Sequence, residues 1–183
     1  GEELSEAAVS LDIHNLMTDD DMTGGSWVTE AKVQAFLNKK GGLLKSYRDP
    51  AAGNRTAADL IVSNARAQNI NPIYILARIQ TESSLVSSGS SSNIAKATGC
   101  GCPDGSGCSA MYKGFGKQIE CATKLVRNYL TDLSTKGVTI AGWKVGTSKN
   151  TLDPCSVKPA NKATAALYTY TPWVGAYGKT CGD

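Results

Sequence analysis

A proton donor for bond cleavage needs a carboxyl group held against an apolar surface, and Glu82 is the residue placed to provide one. It follows Ile75 and Ile79 by 7 and 3 residues and precedes Val86 by 4, offsets that keep one helical face. Burial on such a stripe disfavours the ionised form, and a neutral carboxyl group near neutral pH can protonate a leaving oxygen, as glycosidic cleavage requires. The alternative use is local: Arg78 lies four residues earlier and can pair with Glu82 along the helix. A second carboxylate able to position water would be Asp104, although Pro103, Asp104 and Gly105 together also compose an ordinary Asx turn. The only histidine, His14, lies far from any serine or cysteine that it could activate. No glycine-rich segment sits between a strand and a helix as a phosphate loop does, so no nucleotide cofactor is implied.

The elements that must hold these residues read as helices. Residues 1–28, with acidic residues at 19–21 and a Gly24-Gly25 break, are expected to form an arm, and residues 29–183 one catalytic domain. Thr29 caps a first helix with Val33, Phe36 and Leu37 on one face, and Gly41-Gly42 stops it. Thr56 caps a second, with Ala57, Leu60, Ile61 and Ala65 as its buried stripe. Asn71-Pro72 opens a third, apolar on most sides and therefore central, which ends soon after Glu82. Residues 87–114 are rich in serine, glycine and cysteine and lack any period, which predicts a long loop. A fourth helix over about 116–133 carries Ile119, Ala122, Val126 and Leu130, and Asn161 caps a fifth with Ala163, Ala166, Leu167 and Tyr170 inward. Strand signals are weak, so the class is mainly α.

Cysteines 100, 102, 108, 121, 155 and 181 are even in number and lie among glycines and serines, which favours disulfides and an oxidising compartment over a zinc site. Many complete pairings are open to six cysteines; the arrangement expected here joins Cys102 to Cys108, Cys155 to Cys181 and Cys100 to Cys121. The formal net charge of +3 is spread along the chain rather than gathered in a stripe, so nucleic acid is not indicated. No apolar run approaches the roughly 20 residues of a membrane span. The first residues lack the basic start and apolar core of a signal peptide, so a mature or trimmed chain is expected.

The run Ile-Gln-Thr-Glu-Ser-Ser over residues 79–84 resembles the signature of goose-type lysozymes and bacterial lytic transglycosylases, in which a helix ends in a Glu-Ser pair and the glutamate is the acid. Other landmarks follow in the family's order: the loop over 99–105, the helix entry over 112–119, and the segment over 163–173 where a tyrosine approaches the acid. The pattern is most similar to secreted bacterial lysozyme-like domains with a Gly-Cys-Pro-Asp loop, and the likeness covers about residues 29–175. It implies a goose-type lysozyme-like fold with disulfide-bridged loops, extracellular or periplasmic, monomeric and without metal or cofactor. The implied activity is hydrolysis of β-1,4 bonds in the glycan strands of peptidoglycan, acetylated or N-deacetylated. Glu82 would be the catalytic acid; Asp104, from its place in the loop, is the candidate second catalytic carboxylate, and Ser83, Gln118, Tyr168, Tyr170 and Trp173 are the candidate substrate contacts, Gln118 being equally placed to cap the fourth helix. Tyr170 fits the buried stripe, which leaves Tyr168 as the counterpart of the family's cleft tyrosine. Trp143 and Trp173 are of a type that stacks on sugars, although large aromatics also fill cores. The chain departs from the transglycosylases in having the segment from Cys100 to Cys108 where they carry Gly-Leu-Met-Gln. Lytic transglycosylase, chitinase and non-catalytic wall-binding module are the alternative functions.

Overall fold

The computed structural model describes residues 11–103, 105–175 and Cys181. Its α-helices are α1 (Asp19–Thr23), α2 (Glu30–Lys40), α3 (Ala57–Ala67), α4 (Pro72–Ser83), α5 (Phe115–Thr135) and α6 (Lys162–Tyr170). Two antiparallel pairs of two-residue strands, β1 (Arg48–Asp49) with β2 (Arg55–Thr56) and β3 (Lys149–Asn150) with β4 (Ser156–Val157), are the strand content among the described residues. The chain is mainly helical, as its patterning predicts, and none of the described helices is long and apolar enough to cross a membrane. Its described residues divide into two compact units, one within 20–128 and one of residues 129–175 and Cys181 with residues 11–19. Of the expected arm, residues 11–19 go with the second unit and residues 20–28 with the first.

In the unit of residues 20–128 the helix ends follow from their capping chemistry. Thr29 Oγ1 accepts from Lys32 N at 3.2 Å, and Thr56 Oγ1 accepts from Asp59 N at 3.1 Å. Gly41 ends α2 in the left-handed region at φ 74°. Asn71 has three tasks: its Oδ1 accepts from Ile73 N at 3.0 Å, its Nδ2 donates to Asp21 O at 2.8 Å, and its backbone N–H donates to Met22 O at 2.7 Å. The start of α4 is thus fixed to α1 by the same residue that caps it.

The core of this unit is built on α3 and α4. Leu60, Ile61, Ala65, Ile75 and Ile79 are buried, and complete burial of an isoleucine contributes roughly 1.5–3 kcal/mol. Phe36 departs from expectation: Val33 and Leu37 are buried, but Phe36 is half-exposed at the edge of their face. Ile73 is exposed too, because it lies on the first turn of α4 opposite the stripe of Ile75 and Ile79.

In the other unit, Tyr168 and Tyr170 exchange the places expected of them. Tyr168 is buried, stacked on Trp143 at 5.1 Å between ring centroids, and its hydroxyl donates to Ile13 O at 2.7 Å; Tyr170 is only partly buried. The cause is distant in sequence. Small residues at 163–166 leave α6 free to bury almost any side, and the tyrosine goes inward where a flat partner and a hydroxyl acceptor are both available. Trp143 is accordingly a core residue, whereas Trp173 is exposed. The three disulfides join Cys100 to Cys121, Cys102 to Cys108 and Cys155 to Cys181, as expected.

Candidate active site

Glu82 occupies the last turn of α4, one residue before the helix ends and two before Ser84 turns left-handed at φ 57°. The stripe it shares with Ile75, Ile79 and Val86 is buried, but Glu82 itself emerges from it, its side chain 32% exposed. An apolar seat for the carboxyl group is therefore not formed. The alternative use of Glu82 is formed instead. Arg78 Nη1, on a side chain only 9% exposed, donates to Glu82 Oε1 at 3.0 Å. Arg78 in turn lies against Tyr74, its guanidinium carbon 5.9 Å from the ring centroid and Nη2 3.5 Å from the hydroxyl. Tyr74, Arg78 and Glu82 follow one another at four-residue spacing and so run up one ridge of α4. Burial is the main cause that pushes the Tyr74 hydroxyl pKa above its usual value; the adjacent guanidinium opposes it.

The second oxygen of Glu82 faces the loop that follows the helix. A Cβ built on Gly99 would lie 3.0 Å from Glu82 Oε2, and Gly99 has φ +71°, where side chains are strained. At Gly99, therefore, it is backbone that meets the carboxylate. The loop is held there from beneath. Ser83 Oγ is buried and donates toward Ile79 O at 2.8 Å and Ala97 O at 2.9 Å, while Asn93 Nδ2 donates to Ser83 O at 3.0 Å. Ser83 is thus the pin between helix and loop and does not face solvent.

Gln118 has the same kind of role from α5. It is fully buried. Its Nε2 donates to Cys100 O at 2.6 Å and Tyr112 O at 2.7 Å, and its Oε1 accepts from Thr98 N at 3.2 Å and Thr98 Oγ1 at 3.1 Å. With its amide saturated, Gln118 has no polar capacity left for a substrate. Asp49, buried, accepts from Gly116 N at 2.8 Å and Ala51 N at 2.9 Å, which ties the first turn of α5 to the β1–β2 hairpin.

Glu82, Ser83 and Gln118 are thus brought to one loop, two of them as its supports. Asp104 lies outside the described residues. Tyr168, Tyr170 and Trp173 belong to the other unit, where the Tyr168 hydroxyl is already engaged with Ile13. Gly99 and Tyr74 are the residues at Glu82 that sequence reasoning misses. Gly99 offered one signal, as the first glycine of the Gly-Cys-Gly-Cys run. A groove of about 540 Å³ elsewhere on this unit does not include Glu82 among its lining residues. Comparison with protein-family models, with curated proteins and with solved structures finds no match for this chain.

Proposed function

We propose that the chain is a lysozyme-like glycoside hydrolase that cleaves β-1,4 bonds in peptidoglycan glycan strands with Glu82 as its general acid. The observation that carries this reading is the position of Glu82: a carboxyl group at the end of α4, its side chain 32% exposed to solvent, beside the Gly99 backbone. A glycosidic oxygen would have to reach a carboxyl oxygen from the solvent side to take its proton. The protonated carboxyl group gives its proton to the leaving oxygen as the C1–O bond breaks; water then supplies hydroxide to C1 and returns a proton to Glu82. Asp104 is the proposed partner that positions this water. Three disulfides fit an oxidising compartment, and the proposed location is outside the cytoplasm, as a monomer acting on the wall.

The test is release of reducing ends from purified sacculi. The wild-type chain should release them and Glu82→Gln should not; equal release by both removes Glu82 from the mechanism. Anhydro-ended fragments in a mass spectrum would assign lytic transglycosylation instead. One observation favours a second reading, a non-catalytic glycan-binding module: Arg78 already holds Glu82 Oε1 at 3.0 Å, and proton donation has to compete with that pairing. Retention on sacculi with no soluble product from either chain supports the module.

A further inference from the structure

The half-exposed Phe36 and exposed Ile73 are walls of one concavity. A groove of about 540 Å³ runs between α2 and α4, with Trp27 and Phe36 on one side and Ile73 and Leu76 on the other. Its size lies within the roughly 300–1,000 Å³ of small-molecule sites. Trp27 is 61% exposed, Ile73 44% and Phe36 39%, so three large apolar side chains open to solvent around one recess, where isolated exposure would need no explanation.

Two features define the chemistry of an occupant. The polar groups in the lining are mostly used up: Gln80 Nε2 donates to Ser87 Oγ at 2.8 Å, and Gln80 Oε1 accepts from Ser87 N at 3.2 Å. A sugar, with hydroxyls on every edge, would find few partners and would lose its hydration. The charge at the rim is of one sign. Lys32 and Lys40 are the only charged lining residues, with Nζ atoms 5.1 Å from the Trp27 ring and 5.5 Å from the Phe36 ring. Eight residues apart on α2, they stand about 12 Å from one another along the helix, one at each aromatic wall. An apolar trough with a cationic rim complements a molecule with an aliphatic body and an acidic end.

We propose that this groove binds a single-chain anionic amphiphile, its alkyl chain against Trp27, Phe36 and Ile73 and its acid group at the lysine rim. The site is distinct from Glu82 and does not rest on glycan cleavage.

The experiment titrates the intact chain with brominated dodecanoate below its critical micelle concentration and follows quenching of tryptophan fluorescence. Saturable one-to-one quenching is expected in the wild type, and the part that saturates should vanish in Trp27→Phe. Ala77→Trp, which fills the groove, should abolish binding of radiolabelled dodecanoate in equilibrium dialysis. Lys32→Glu with Lys40→Glu should weaken dodecanoate at least tenfold and strengthen dodecyltrimethylammonium; circular dichroism checks that each variant is folded. Non-saturable quenching, or equal affinity for the two amphiphiles in the wild type, overturns the proposal. A dimer in sedimentation that Ile73→Asp dissociates, without dodecanoate binding, assigns the groove to a second copy of the chain. Binding to anionic vesicles alone assigns it to a membrane surface.

Discussion

Gly99 stands so close to Glu82 that a single added carbon would touch the carboxylate: the Cβ position is 3.0 Å from Oε2. Gly107 makes a natural control, because it has nearly the same φ, +68°, with nothing within 4 Å of its Cβ position. Gly107→Ala should cost only the left-handed backbone strain of about 1–2 kcal/mol. Gly99→Ala adds a steric contact at the carboxylate, so it should lose more thermal stability and, under the proposed function, most glycan cleavage. Differential scanning calorimetry and reducing-end release measure the two effects. Equal losses for both alanines would remove the contact from the explanation.

The Arg78–Glu82 pair is unequal in burial, and truncating its two partners should have unequal consequences. Glu82→Ala removes a partly exposed carboxylate and should change stability by less than about 1 kcal/mol. Arg78→Ala empties space beside Tyr74 and should cost about 2 kcal/mol, through lost packing as much as lost charge. Their coupling in a double-mutant cycle should come to roughly 0.5–1 kcal/mol. Urea titration at neutral pH checks all three values. A larger cost for Glu82→Ala than for Arg78→Ala would contradict the burial difference.

What could be read in advance divides by range. Caps and stripes are local, and Thr29, Thr56, Asn71 and Asn161 each cap the helix that their types predict. Glu82 illustrates the limit: spacing placed it correctly relative to Ile75 and Ile79, but one helical face does not keep the same depth to its last turn. Tyr168 illustrates another. Its partners lie at residues 13 and 143, and no window around α6 contains them. Gln118 illustrates a third: its amide has the atoms to hold a substrate, but four donors and acceptors on a loop 6–20 residues away claim them.

That saturation makes Gln118 a sharp test of what holds the loop. Gln118→Ala leaves the carbonyls of Cys100 and Tyr112 and the amide of Thr98 without their present partner, and each such loss costs about 1–3 kcal/mol when it stays dry. A combined destabilisation above about 2 kcal/mol is expected, with faster hydrogen exchange at Thr98. Gln118→Glu keeps the shape but points a second oxygen at two carbonyls, 2.6 and 2.7 Å from the present nitrogen. It should rescue neither stability nor exchange at neutral pH. Wild-type behaviour of Gln118→Glu would mean that the shape of the side chain, and not its donors, supports the loop.

Tyr168 converts its burial into a dependence on alkaline pH. Removal from solvent, aided by the carboxylates of Asp153 and Asp12, pushes its hydroxyl up from 10.0 to about 12. The unfolded chain therefore ionises this group first. Its stabilising contribution is complete below pH 10, shrinks as the unfolded form begins to release the proton, and is lost by about pH 12, when the folded form ionises as well. The whole effect should be on the order of 2 kcal/mol. Tyr168→Phe removes the titration together with the hydrogen bond to Ile13 O. The variant should be less stable at pH 8, by about 1 kcal/mol or more because a buried carbonyl loses its donor, and its stability should fall less steeply between pH 10 and 12. Denaturant unfolding at closely spaced pH values measures both slopes. Parallel slopes for the two chains would show that other groups govern alkaline unfolding and that the buried hydroxyl of Tyr168 does not.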